Sequence, residues 1–124
     1  MVNTPPLIAV LDDEPMFCKA LGRLLKTHGF DVVVFGRESD LLSDCMTQPP
    51  DCLLLDLHMP VANGFQVLER LNALHIQVPV IVITGHDQPG NAERLRALGA
   101  VDYLFKPLNE SMLLAALGKV IELN

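Results

Sequence analysis

At 124 residues, half of them hydrophobic, the chain is long enough for one domain with a single sizeable core, and its composition excludes a disordered polymer. Fifteen acidic side chains against nine basic ones leave a formal net charge of −6. No basic stripe exists to displace counterions from a phosphate backbone, so direct nucleic-acid binding by this chain is not expected.

The chain opens on MVNTPP, without the basic-then-apolar order of a signal peptide. No apolar run nears the roughly 20 residues that span a bilayer, so the expected setting is cytoplasmic, with no membrane partner. The first apolar run is LIAVL (7–11), followed by a helical face of Phe17, Leu21, Leu24 and Leu25 that ends near THGF, with Gly29 as its C-cap. VVVF (32–35) follows, then a second helix from about Glu38 to Met46, closed by the turn Pro49-Pro50-Asp51.

CLLL (52–55) is the third strand, running into Asp56 and then Met59-Pro60. The third helix begins at Asn63, whose spacing to Gln66 resembles a capping box. VPVIVI (78–83) precedes a fourth helix over about Gly90 to Leu98, ended by Gly99. AVDYLF (100–105) precedes a fifth helix that starts from Asn109 and runs towards Ile121. Cys18, Cys45 and Cys52 are scattered, odd in number and form no CxxC pair, so buried reduced thiols are expected rather than a disulfide or a metal site.

Most of these apolar runs show little polar alternation, the pattern of strands buried on both faces. Strand and helix alternate five times, which predicts a parallel sheet with helices on both faces and right-handed crossovers. In an open doubly wound sheet, ligands bind at the carboxyl ends of the strands. There the sequence offers Asp12 and Asp13 after the first strand, Asp56 after the third, Thr84 after the fourth and Lys106 after the fifth.

Any one strand-end aspartate is ordinarily a turn residue or an N-cap. Four strands presenting a reactive residue at one edge weaken that reading. Three carboxylates this close repel, and a hard divalent cation, Mg²⁺ by preference, relieves them. Lys106 adds a charge suited to a phosphoryl group, and a carboxylate is a phosphoryl acceptor, so Asp56 is expected to be a nucleophile.

The acidic pair in LDDE, the stretch LLLDLHMPVANG, the strand end VITGH and the run AVDYLFKP occur in an order that resembles the response-regulator receiver domain of two-component signal transduction, across essentially the whole chain. The resemblance implies a single receiver domain over 1–124 with an α/β, flavodoxin-like, doubly wound five-stranded parallel sheet in order 2-1-3-4-5 and five helices. It implies Asp56 as phosphoacceptor, forming an aspartyl phosphate, and a Mg²⁺ ion held by Asp12, Asp13, Asp56 and the backbone carbonyl of His58. It also implies Thr84 as the switch hydroxyl, Lys106 as the phosphoryl-pairing lysine, a cis peptide between Lys106 and Pro107, and Tyr103 as the switch aromatic.

Gly85 stands where many receivers have alanine. His58 and His86 each lie two residues beyond a key position. A transition-metal pair is one reading of them, but solvated rim residues that modulate hydrolysis are the favoured one.

The expected function is a phosphorylation-dependent signalling switch, a phosphoprotein that catalyses its own phosphotransfer and slow dephosphorylation without being a metabolic enzyme. Its partner would be a histidine kinase or phosphotransfer protein. A haloacid-dehalogenase-like phosphatase is the enzyme alternative, but there the nucleophile comes early in a DxD motif, whereas here Leu57-His58 follows Asp56. A phosphorylation-independent interaction module on the same fold is a third reading, and it usually loses an acceptor residue that this chain keeps. Finally, MLLAAL (112–117) is apolar for more than one helical turn, so part of it should face outward. A homodimer or partner surface is expected there, built from the fourth helix, fifth strand and fifth helix.

Overall fold

The computed structural model describes residues 4–59 and 63–121. Ten elements alternate along the chain: β1 (Leu7–Leu11), α1 (Pro15–Thr27), β2 (Asp31–Phe35), α2 (Glu38–Thr47), β3 (Cys52–Asp56), α3 (Gly64–Ala73), β4 (Val80–Thr84), α4 (Asn91–Ala97), β5 (Asp102–Phe105) and α5 (Glu110–Val120). All strands are parallel, in the order β2-β1-β3-β4-β5, the doubly wound flavodoxin-like arrangement that the resemblance implies.

Side chains alternate across a strand, and that period divides the core in two. Ile8, Val10, Leu54, Ile81, Ile83 and Leu104 face α1 and α5, where they meet Leu21, Leu25, Leu113 and Leu117. Ala9, Leu11, Leu53, Leu55, Val80 and Val82 face the other helices, where Leu41, Leu68, Leu71 and Leu95 cover them. β1, β3 and β4 are therefore apolar on both faces and almost wholly buried. The edge strand β2 is not, and Val34 there is 45% exposed.

Several boundaries move from their expected places. β4 begins at Val80, because Pro79 has no N–H for the ladder, although its carbonyl still accepts from Leu53 N at 2.8 Å. It also runs one residue further and takes in Thr84. β5 is shorter than expected, since Val101 is exposed in the approach to it. Around α1 the residues buried are Cys18, Leu21 and Leu25, with Phe17 and Leu24 only partly covered. Gly29 follows the helix with φ of 87°, a left-handed turn that a side chain would strain.

The capping box at α3 is complete. Gln66 N donates to Asn63 Oδ1 at 3.0 Å, and Asn63 N donates to Gln66 Oε1 at 3.2 Å. Gly64, the first residue of α3, permits a close approach to the end of β3. A Cβ there would lie 3.1 Å from the Leu57 backbone. Residues 60–62, including Pro60, lie outside the described residues.

All three cysteines are buried and unpaired, and burial pushes the Cys52 thiol up to about 12 and the Cys18 thiol up to about 11. Thiols so far from ionising are inert packing residues. No helix among the described residues is long and apolar enough to cross a membrane.

Candidate functional site

Parallel strands end on one edge, so the topology gathers the tips of β1, β3, β4 and β5. In register, Leu11 pairs with Leu55, Asp56 with Ile83 and Thr84 with Phe105, so the residues at these tips are near neighbours. Asp12, Asp13 and Asp56 form one cluster, each offering a carboxylate oxygen within 4.8 Å of the others. Among the described residues it is the one such group of potential metal-holding side chains. Asp12 and Asp56 are buried at 3% and 4% exposure, whereas Asp13 is open to solvent. An oxygen-only, trianionic donor set with one wet edge suits a hard divalent cation that keeps part of its water shell.

Burial is the main cause that raises Asp56 to about 6, followed by repulsion from Asp12, with Lys106 and the His58 backbone N–H acting in the opposite sense. Desolvation is thus the leading cause, ahead of the repulsion that neighbouring carboxylates exert. His58 N donates to Asp56 Oδ1 at 3.3 Å, and Glu14 N to Asp12 Oδ1 at 2.8 Å, which orients both acids.

Lys106 reaches the cluster from the tip of β5. Its ammonium donates to Asp12 at 3.1 Å and Glu14 at 3.0 Å, and it stands 3.9 Å from Asp56. Burial alone would depress its pKa, but the bonds to Glu14 and Asp12 outweigh that effect and the net shift is upward. It also lies 4.2 Å from the centroid of the Phe17 ring. The Lys106–Pro107 peptide is cis.

Thr84 is wholly buried, and its hydroxyl is engaged locally. It donates to the His86 carbonyl and accepts from His86 N, both at 3.0 Å. His58 Nε2 approaches the same His86 carbonyl at 3.4 Å, so both histidines lie on the exposed rim. Tyr103 donates its hydroxyl to Asp87 at 3.1 Å and meets Phe105 edge-on, with ring centroids 5.0 Å apart.

Two partners of Lys106 escaped the sequence reading. Glu14 follows the acidic pair in LDDE with no pattern that marks it, and Phe17 reads as part of the apolar face of α1. Asp87 had no signal, because only the fold brings the loop after β4 beside β5. At α5 part of MLLAAL does face outward: Met112 and Ala115 are exposed, whereas Leu114 is half-buried against the core.

The sequence model of the response regulator receiver domain matches residues 8–118. The chain is 34% identical over 123 residues to the response regulator protein TodT of Pseudomonas putida, covering 99% of this chain and 54% of that protein. It is also 34% identical over 116 residues to the protein PilH of Pseudomonas aeruginosa, covering 92% of this chain and 96% of PilH. The chain spans about half the length of TodT and of several other curated relatives it matches. The solved structure of FixJ-N superposes with a TM-score of 0.86 at 30% identity, covering 95% of this chain and 94% of that one. With that match of sequence and fold over nearly its whole length, the chain belongs to the response regulator receiver domains.

Proposed function

We propose that the chain is a phosphorylation-dependent switch in which Asp56 accepts a phosphoryl group from a histidine kinase or phosphotransfer protein. One observation carries this reading: a buried carboxylate, Asp56, lies within 4.8 Å of two further acids and 3.9 Å from a lysine ammonium. Membership of the family implies the kinase partner.

The chemistry asks little of the chain beyond placement. Above about pH 6 the Asp56 carboxyl is mostly ionised, and one of its oxygens attacks the phosphorus of a phosphohistidine. A P–O bond forms as the P–N bond breaks, and the departing imidazole nitrogen takes a proton from solvent. Lys106, already held at the edge by Asp12 and Glu14, neutralises charge on the transferred group without having to be recruited. Asp12, Asp13, Asp56 and the backbone carbonyl of His58 would hold a Mg²⁺ ion, which when bound would supply the remaining charge neutralisation for the phosphoryl oxygens.

Thr84 then has a choice of acceptors. Its hydroxyl donates to the His86 carbonyl in the resting chain, and an aspartyl phosphate offers a stronger, charged acceptor. His58 and His86 stand on the rim, where they modulate the approach of the water that later returns the phosphoryl group as inorganic phosphate. Tyr103 transmits the rearrangement outward.

The test is incubation with acetyl phosphate and Mg²⁺, followed by intact-mass measurement. One phosphoryl adduct is expected on the wild type and none on Asp56→Asn, since the amide cannot act as the anionic nucleophile. An adduct of equal yield on Asp56→Asn overturns the assignment.

A further inference from the structure

Glu14 stands apart from the other acids at this edge. It is not a member of the cluster formed by Asp12, Asp13 and Asp56, yet its carboxylate accepts from Lys106 Nζ at 3.0 Å. That bond is as short as the one Lys106 makes to the buried Asp12, at 3.1 Å. The ammonium is 3.9 Å from Asp56, too far for a hydrogen bond to the acceptor. The Phe17 ring, on α1, has its centroid 4.2 Å from the same nitrogen. Asp12, Glu14 and Phe17 therefore engage Lys106 at rest, and Asp56 does not.

These partners are not equivalent. Asp12 belongs to the donor set on which a divalent cation would draw, so a cation there competes with Lys106 for its charge. Glu14 has no such second claim. Its side chain is 63% exposed against 17% for Lys106, so the pair lies at the outer side of the site and is partly screened by water. An ammonium has three N–H groups, and the bond to Glu14 occupies one that a phosphoryl oxygen could use.

We propose that Glu14 is a positioning residue that holds Lys106 back from the acceptor at rest, and that a phosphoryl group on Asp56 wins the ammonium by displacing Glu14. The inference rests on the phosphoacceptor reading and deepens it. Lys106 is already at the site, but it has to exchange an exposed carboxylate for the phosphoryl oxygens. Whatever Glu14 contributes to the resting pair weakens the net pull of Lys106 on the phosphoryl group. Glu14 thereby sets how readily the site is occupied.

The chain has four lysines, Lys19, Lys26, Lys106 and Lys119, so carbon-13 at lysine Cε gives four NMR signals. The one missing from Lys106→Met is that of Lys106. Mg²⁺ with beryllofluoride serves as the phosphoryl mimic, and its binding is followed separately by fluorine NMR. Glu14→Gln keeps the length of the side chain and removes its charge. In chelator, this variant should shift the resting Lys106 signal part of the way towards its position in the mimic-bound wild type. It should bind the mimic about 2- to 5-fold more tightly, the worth of an exposed ion pair. Glu69→Gln, the same charge change on the exposed side of α3, should do neither.

In a Lys106→Met background, Glu14→Gln should change the affinity by less than about 1.5-fold, because the ammonium for which Glu14 competes is gone. Unchanged or weaker binding in Glu14→Gln, or a resting Lys106 signal that does not move, overturns the proposal. The same gain in Glu69→Gln or in the Lys106→Met background also overturns it. A wild type that binds no beryllofluoride overturns the phosphoacceptor reading itself, and this inference with it.

Discussion

Without a divalent cation, Asp56 should make the protein less stable at neutral pH, so that Asp56→Asn melts higher than the wild type. The carboxyl is 4% exposed and is raised from 3.8 to about 6, first by burial and then by Asp12. A folded-state value above the unfolded one means that the folded chain holds its proton more tightly. Stability is therefore lost as pH rises through this window. The displacement, about 6 less 3.8, corresponds to about 3 kcal/mol at pH 7.5, an upper figure because the site relaxes and admits water.

A gain of about 2 kcal/mol in Asp56→Asn amounts to about 5–10 °C for a chain of this size. The assay is thermal unfolding of both proteins in a chelator, from pH 7.5 down to pH 3.5. The gap should be full above about pH 7, shrink to about a third at pH 4.5, and nearly vanish at pH 3.5. Adding Mg²⁺ at neutral pH should stabilise the wild type more than the variant and narrow the gap, as ligand binding to the folded state requires. If Asp56→Asn melts at or below the wild type at pH 7.5 in chelator, or if the gap is the same at both ends of the range, the account of a desolvated, crowded carboxylate is wrong.

Asp13 is the exposed member of the acidic cluster, so Asp13→Asn should cost under about 0.5 kcal/mol in stability while weakening Mg²⁺ binding at least about tenfold by calorimetry. Lys106→Ala strips the buried Asp12 of its cation and should destabilise the chain by about 1–3 kcal/mol in urea, as well as slowing phosphorylation by acetyl phosphate. His86→Ala keeps the backbone groups that hold Thr84, so it should form the phosphorylated protein normally and alter only its lifetime, read by intact mass over time. On α5, Met112→Glu should leave stability within about 0.5 kcal/mol, whereas Leu114→Glu buries a charge against the core and should cost well over 1 kcal/mol. If beryllofluoride drives assembly through this face, sedimentation of Met112→Glu should show the loss without confusion from unfolding.

Much of the chain could be read from local pattern, for physical reasons that are also local. An apolar run such as LIAVL or VIVIT can be stable only as a strand covered on both faces, and Asn63 with Gln66 cap a helix through groups three residues apart. Because parallel strands end on a common edge, a carboxylate, a hydroxyl and an ammonium at successive strand tips had to converge. Asp12, Asp13, Asp56, Thr84 and Lys106 could therefore be named as a set before any coordinates.

What needed the tertiary structure is whatever depends on distance between elements remote in sequence. The pairing of Lys106 with Glu14 spans 92 residues, and that of Tyr103 with Asp87 joins β5 to a loop that no periodicity marks. Which residues of MLLAAL face outward was undecided in the sequence, since a run apolar all round has no preferred side until α5 lies on the sheet. The degree of burial was equally hidden. Asp12 and Asp13 are adjacent and chemically identical, yet the strand end buries one and leaves the other in water. Burial is a property of everything packed around a residue, and for Asn91 it turned an ordinary helix-start amide into a buried donor without a partner.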